Sequence, residues 1–123
     1  MKLSEYLSTG GSGVIATADK DGTINTAVYA VPHFVDEETV AWGMTDGRTF
    51  RNLQENPNAA FLHQAPGDGA AGVRMTLKLE QIEESGRMLD AIRARARTVS
   101  GAAAADMVRF VAFFKVVETR PLM

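Results

Sequence analysis

Alternating apolar and polar positions predict six β-strands along this chain. The clearest case is residues 73–82, where Val73, Met75, Leu77 and Leu79 alternate with polar side chains. A period of two residues is typical of a strand that buries one face. The same alternation, or a short apolar run, recurs in residues 14–18, 23–31, 39–44, 59–64 and 108–119.

The segments between these strands predict tight turns and two or three helices. Residues 19–22 (Asp-Lys-Asp-Gly) are a typical hairpin turn, since an Asp-Gly pair tolerates the positive φ that a tight turn needs. The acidic residues 36–38 (Asp-Glu-Glu) are interpreted as a second turn. Helical character is found in residues 2–7, in residues 45–56 and, most clearly, in residues 85–99. The last of these places Met88, Leu89, Ile92 and Ala96 on one face, with arginines at 87, 93, 95 and 97 interpreted as solvated.

The order of these elements favours a small antiparallel β-barrel with peripheral helices. Consecutive strands joined by hairpins pair antiparallel, and a small sheet must close or be covered to protect its edges. The chain has 123 residues, which predicts one domain over residues 1–123.

Composition then excludes several classes of function. The chain has no cysteine, which excludes thiolate metal sites, disulfides and a cysteine nucleophile. Its net charge of −2 argues against a nucleic-acid partner. No apolar run approaches the roughly 20 residues of a membrane span, and residues 1–9 lack a signal-peptide pattern, so a cytoplasmic location is expected.

Residues 67–72 match the Gly-x-Gly-x-x-Gly pattern of dinucleotide-binding loops. That pattern requires a helix directly after it, within a parallel βαβ unit. A strand is predicted to follow here, so the dinucleotide interpretation is rejected. The segment is instead interpreted as a loop whose glycines let the backbone approach a ligand closely.

Two arginines, Arg48 and Arg51, lie in the first turn of the second predicted helix. The helix dipole disfavours cations there unless an anion is bound. Arg48, the Thr49 hydroxyl and free backbone N–H groups would together form a phosphate site. The residues leave two alternatives open: Asp46 caps the helix and pairs with an arginine, or both arginines point into solvent.

Few other residues point to chemistry. His33 and His63 lack the spacing of metal ligands and are interpreted as structural or surface residues. Asn25 and Thr26 are polar residues inside the second strand, where they either face solvent or need partners.

The order of the parts resembles a known family. The segment Ala-Thr-Ala-Asp-x-Asp-Gly, a returning strand, an aromatic strand and then Arg-Thr-x-x-Asn-Leu-x-x-Asn-Pro are similar to the pyridoxamine phosphate oxidase-like FMN-binding split barrels. The short bacterial FMN-binding members have nearly this length. The resemblance implies a mainly β fold, a six-stranded antiparallel split β-barrel of Greek-key type, and a homodimer with FMN sites between subunits.

The resemblance also implies which residues bind the flavin. Arg48 and Thr49 correspond to the positions that hold its phosphate, while Asn25 and Thr26 would hydrogen-bond the flavin, with Tyr29 further along the strand. The main chain at Gly43 and Met44 would lie against the isoalloxazine ring. Pro66 and Gly67 would close over it, and the C-terminal Leu122 and Met123 would reach the partner's flavin.

The function implied is flavin redox chemistry, by an oxidoreductase or an electron carrier with a small-molecule or nicotinamide partner. Residues 116–123 carry only Arg120 as a basic residue, which argues against oxidation of pyridoxamine phosphate itself. Two alternatives remain open on the sequence. One is haem or a deazaflavin in the same crevice, and the other is a cofactor-free dimeric module for interaction or ligand sensing.

Overall fold

The structure, a computed structural model, describes residues 2–7, 10–67 and 71–122. In chain order its elements are α1 Leu3–Leu7, β1 Ser12–Ala18, β2 Ile24–Ala30, β3 His33–Asp36, β4 Thr39–Met44, α2 Arg48–Glu55, β5 Asn58–Gln64, β6 Gly72–Glu83, α3 Arg87–Ser100, α4 Ala102–Met107 and β7 Phe110–Pro121. In these residues no helix has both the length and the apolar composition needed to cross a bilayer.

The strands form one antiparallel sheet in the order β2-β1-β5-β6-β7-β4-β3. The prediction of a mainly β, antiparallel fold is therefore confirmed. In the described residues β2 and β3 are not hydrogen-bonded to each other as a ladder, so the sheet has two edges and does not close. Pro32 separates these two edge strands and, lacking an N–H, belongs at an edge.

The predicted strand count of six is wrong, because the described residues contain seven strands. The missed strand is β3, whose four residues are too few to show a period of two. The expected two or three helices are four. Gly101 ends α3 as predicted, but at φ +95° it also begins α4, which the sequence analysis included in no element.

Trp42 is the centre of the core inside the curved sheet. Its ring lies 4.8 Å from that of Phe61 on β5 and 5.5 Å from that of Phe114 on β7. The indole Nε1–H donates a hydrogen bond of 2.9 Å to the backbone carbonyl of Ala30, at the end of β2. Trp42 thus joins β4 to the opposite edge of the sheet, across the gap that no backbone ladder closes.

A second, smaller core lies on the outer face of β4 and β7. Leu89 and Ile92 of α3 pack there against Ala41 and Val111. Gly43 permits this close approach, since a Cβ at that position would lie 2.6 Å from Cγ2 of Ile92. Helix α3 is therefore fixed beside the part of β4 that follows its pairing with β3.

Substitution of Trp42 tests how much this contact stabilises the fold. Trp42→Phe keeps an aromatic ring but loses the bond to Ala30, so the free energy of unfolding should fall by about 1–3 kcal/mol. Trp42→Ala also leaves a cavity and should lower it by about 3–5 kcal/mol. Urea unfolding followed by circular dichroism measures both, because the single tryptophan is lost as a fluorophore. Equal stability of Trp42→Phe and wild type would contradict a role for the hydrogen bond.

Candidate functional site

Helix α2 presents an arginine with no ion pair among the described residues. The helix is held by Phe50, whose ring stacks on Phe110 at 3.9 Å, and by Asn52, whose amide donates to the Thr17 hydroxyl at 3.1 Å. Its N-cap is Gly47, which supplies no side-chain cap. The first-turn N–H groups are therefore left without a side-chain acceptor at this cap, and they add partial positive charge beside Arg48.

The two arginines of this turn have different surroundings. Arg51 Nε lies 3.2 Å from Oδ1 of Asp46, so the predicted alternative of an Asp46–arginine pair holds for Arg51. Asp46 is not the N-cap, however, because Gly47 occupies that position. Arg48 forms no salt bridge within the described ranges and lines a cavity instead.

This cavity, here the Arg48 cavity, has a volume of about 320 Å³. It brings Arg48 together with Asn25, one of the predicted flavin ligands. Its other lining residues are Asp19, Thr23, Ile24 and Asn52. The Asp19 carboxylate accepts hydrogen bonds from the N–H groups of Asp21 and Thr23, at 2.8 and 3.0 Å. It is thus engaged in the β1–β2 turn but remains an anionic group of the cavity, in which the exposed Arg48 is the cationic side chain.

A second cavity, here the Arg95 cavity, has a volume of about 380 Å³ and lies between the strand ends and α3. Tyr29, Trp42 and Gly43 line its strand side, and Ile92 and Arg95 line its helix side. The remaining lining residues are Gly10, Gly11, Ala30, Val31, His33, Ala96, Val99 and Ser100. Its wall is mostly apolar, with the cationic Arg95 at one side.

His33 and Arg95 also line an adjoining cavity of about 410 Å³, beside Ser4, Leu7 and Met88. The two side chains therefore form a wall common to both cavities. Burial lowers the pKa of His33 below its usual 6.5, and the positive charge of Arg95 lowers this pKa further. At neutral pH the imidazole is therefore predominantly uncharged.

Strand β2 connects the Arg48 and Arg95 cavities. Asn25, Ala27 and Tyr29 are half-buried on its inward face, whereas the residues between them point outward. Asn25 and Tyr29 are separated by about 13 Å along the strand, at roughly 3.3 Å per residue. Thr26 is exposed on the opposite face, so the structure does not bring it to the cavity that contains Asn25.

Thr49 and Tyr29 contact each other rather than the Arg48 cavity. Thr49 is buried, and its hydroxyl hydrogen-bonds the Tyr29 hydroxyl. Burial raises the pKa of Tyr29, and the bond to Thr49 partly opposes that rise. The structure thus places Thr49 beneath β2, where it holds Tyr29 in position.

Gly43 and Met44 occupy different environments. Gly43 lines the Arg95 cavity, while the Met44 side chain is buried in the core. In the described residues the pairing of β4 with β3 ends at Ala41, so the backbone beyond it has no strand partner on that side. This free edge faces the gap that Trp42 spans.

Of the residues predicted to cover the flavin, Pro66 lies near the Arg95 cavity, whereas Leu122 lies elsewhere. Pro66 contacts the neighbourhood of Gly11, since a Cβ there would meet its ring at 3.3 Å. Gly67 is exposed at φ +107°. Leu122 lies against Gly72, and Met123 is outside the described residues. His63, by contrast, is fully buried, and its Nε2 lies 2.6 Å from the carbonyl oxygen of Gly10.

The sequence analysis missed His33, Arg95 and Asn52 as lining residues. Arg95 was interpreted as part of a solvated helix face. Its position three residues after the buried Ile92 places it at the border of the apolar face, which is the signal that could have found it. For His33 no such signal exists, because β3 was not predicted.

Comparison with known proteins places the chain in a family. The model of the family described as pyridoxamine 5'-phosphate oxidase matches residues 2–119. No curated protein matches the sequence.

Solved structures share the fold at low sequence identity. An FMN-binding protein from Syntrophomonas wolfei subsp. wolfei is 21% identical, with a TM-score of 0.84, over 99% of this chain and 84% of that one. An F420 reductase is 18% identical, with a TM-score of 0.71, over 89% and 88%. HutZ, a heme storage protein from Vibrio cholerae, is 18% identical, with a TM-score of 0.62, over 98% and 95%. At these identities the likeness concerns the fold.

The environment of His33 predicts its titration. NMR of the imidazole should give a pKa below 6.5. Arg95→Gln should raise that pKa but leave it below 6.5, because the burial of His33 remains. The folded state then binds fewer protons than the unfolded state around pH 6.5, so this group's contribution to stability is present above that pH and is lost as the pH falls. A His33 pKa above 6.5 in the wild-type protein would contradict the described environment.

Proposed function

This chain belongs to the pyridoxamine 5'-phosphate oxidase family, and on that basis we propose that it is an FMN-binding flavoprotein of split-barrel type. We propose further that it works in the cytoplasm as an oxidoreductase or electron carrier. The observation that carries the proposal is Arg48, a cation at a helix N-terminus that lines a cavity together with Asn25.

The donors of the Arg48 cavity fit a phosphate group. A guanidinium, helix N-terminal N–H groups and the side chains of Asn25 and Thr23 all offer hydrogen bonds to an anion. Arg48 would hold the phosphate of FMN, and Asn25 would hydrogen-bond the part of the FMN molecule next to that phosphate. The family resemblance implies these two roles, with Arg48 at the phosphate and Asn25 hydrogen-bonded to the flavin, which adds to the argument from charge.

The Arg95 cavity, at the Tyr29 end of the inward face of β2, suits the flat isoalloxazine ring of the flavin. Gly43 and the unpaired edge of β4 expose backbone there, and Tyr29 and Trp42 supply aromatic walls. When bound, the flavin supplies the redox chemistry, while the protein positions it and sets its surroundings. Tyr29, held by Thr49, would fix the position of the ring, and the apolar wall would exclude water.

We propose that the protein is a homodimer, with the outer face of β2, β1 and β5 as its interface. Val14 lies opposite both Val28 and Leu62 in the sheet, so the three side chains adjoin. Val28 is 76% exposed, Ile24 72% and Leu62 44%. A contiguous exposed apolar face of this kind is typical of a protein–protein interface. As the family resemblance implies, we propose that the FMN sites lie between the two subunits.

Haem is the second candidate, and His33 is the residue that favours it. Neutral imidazole is a common axial ligand of haem iron, and the lowered pKa of His33 keeps its ring neutral. The visible absorption spectrum of the purified protein distinguishes flavin, deazaflavin and haem directly.

The FMN proposal predicts a selective effect of the two arginines. Arg48→Ala should weaken FMN binding by about 1.5–3 kcal/mol, the value of a hydrogen bond to a charged group. Arg51→Ala is the matched control, because Arg51 is engaged with Asp46, and it should leave the affinity nearly unchanged. Titration of FMN-free protein, followed by flavin fluorescence, measures both.

Two results would contradict the FMN proposal. Wild-type protein that takes up no FMN would exclude it, and a Soret band in place of flavin absorbance would favour haem. Equal affinities of Arg48→Ala and wild type would remove Arg48 from the site.

The dimer proposal predicts that a charge on the apolar face disrupts association. Val28→Asp should convert the dimer to a monomer, because an aspartate at the interface would lose its hydration. Met107→Asp is the control, since Met107 is 62% exposed but lies on α4, away from this face. Size-exclusion chromatography with light scattering gives the mass of each. A monomeric wild type at micromolar concentration would refute the interface.

A further inference from the structure

We propose that the Arg95 cavity binds a small aromatic carboxylate, with its carboxylate at Arg95 and His33 and its ring among the apolar side chains. The ring of the proposed flavin would lie against the same walls, so FMN and the carboxylate would compete for this cavity, and the carboxylate site does not rest on the flavin function. The lining residues support the site, because they combine an exposed arginine, which forms no salt bridge in the described residues, with a mostly apolar wall.

The charge at the common wall is positive and has no acidic neighbour. Neither cavity that His33 and Arg95 share is lined by an aspartate or glutamate in the described part of the chain. The acidic side chains of the surrounding elements are Glu5, Asp36, Glu37 and Asp90, and none of them lines either cavity. Glu37 instead accepts hydrogen bonds from the Leu3 N–H and the Ser4 hydroxyl, at 3.1 and 3.0 Å.

Arg95 therefore offers a guanidinium to a ligand. It makes no salt bridge within the described ranges, and its charge repels the protonated form of His33. A bound carboxylate would reverse that repulsion. The planar guanidinium matches a carboxylate with two parallel hydrogen bonds, and the imidazole supplies a further donor.

The rest of the cavity fits an aromatic ring. Ile92, Ala96 and Val99 line the helix side, and Tyr29 and Trp42 line the strand side. The rings of Tyr29 and Trp42 meet edge to face at 6.4 Å, an arrangement that a further ring can extend. The volume of about 380 Å³ lies within the range of small-molecule sites.

The test compares two probes on FMN-free protein, 4-nitrobenzoate and 4-nitrobenzamide, which share the nitrophenyl ring and differ in whether the attached group is an anionic carboxylate or a neutral amide. Calorimetric titration should show the carboxylate binding at least tenfold more tightly than the amide. Trp42 is the single tryptophan and lines the cavity, so its fluorescence should be quenched at the same concentrations. Equal affinities for the two probes, or binding without quenching, would overturn the proposal.

Variants of two neighbouring arginines show whether the site, rather than general charge, is responsible. Arg95→Gln should lower the affinity for 4-nitrobenzoate about tenfold and leave that for 4-nitrobenzamide unchanged. Arg97→Gln is the matched control, because Arg97 is exposed on the same helix and lines neither cavity, and it should behave as wild type. An equal loss in both variants would overturn the assignment.

The same titrations with FMN separate this inference from the proposed function. Protein that binds FMN but does not distinguish the two probes would refute the carboxylate site and leave the flavin proposal standing. FMN-free protein that prefers 4-nitrobenzoate but takes up no FMN would support the site and refute the flavin proposal.

Discussion

Trp42 bridges a gap in the sheet, and the position of the Arg95 cavity, which it lines, depends on that bridge. The backbone ladder runs without interruption from β2 to β3 but does not join these two edges. The hydrogen bond from the indole to Ala30 holds β4 against the end of β2. The tilted contact with Phe61 and the edge-to-face contact with Phe114 fix the indole ring in the core. The Trp42 side chain, rather than a further strand, thus joins β4 to β2. The backbone of β4 beyond Ala41 therefore stays accessible in the gap between them.

Two arginines without acidic partners flank this gap, although the chain as a whole is acidic. It contains 13 basic and 15 acidic residues, which would suffice to pair each cation. Arg51 is paired with Asp46, yet Arg48 and Arg95 have no salt bridge in the part of the chain that the structure describes. Each lines a cavity, at opposite ends of the inward face of β2. Most other basic side chains of the described residues also form no salt bridge, so it is the position of Arg48 and Arg95 beside cavities that points to anionic ligands.

The periodicity of the sequence determined most of the fold but only part of the site. Six strands and three helices were predictable because each is long enough to show its period or is bounded by Gly and Pro signals. β3 and α4 were not, since four and six residues give too little pattern. Arg48 and Asn25 were named in advance and do share a cavity, whereas Thr26 and Thr49 point elsewhere. Sequence order identifies a neighbourhood, but the direction of a side chain depends on strand register and packing.

His33 was not predicted as a residue of the Arg95 cavity because β3, the strand that positions it, was not predicted. Its ring lies where β3 begins, directly after the proline that ends the path of β2, so its position depends on a chain reversal that no local periodicity records. Once β3 pairs with β4, His33 lies opposite Ala41 and faces Arg95 of a helix some sixty residues later. Burial is the larger cause of the lowered pKa of His33, and the positive charge of Arg95 adds to it. The imidazole is therefore uncharged beside the exposed guanidinium, and a bound carboxylate would accept hydrogen bonds from both side chains.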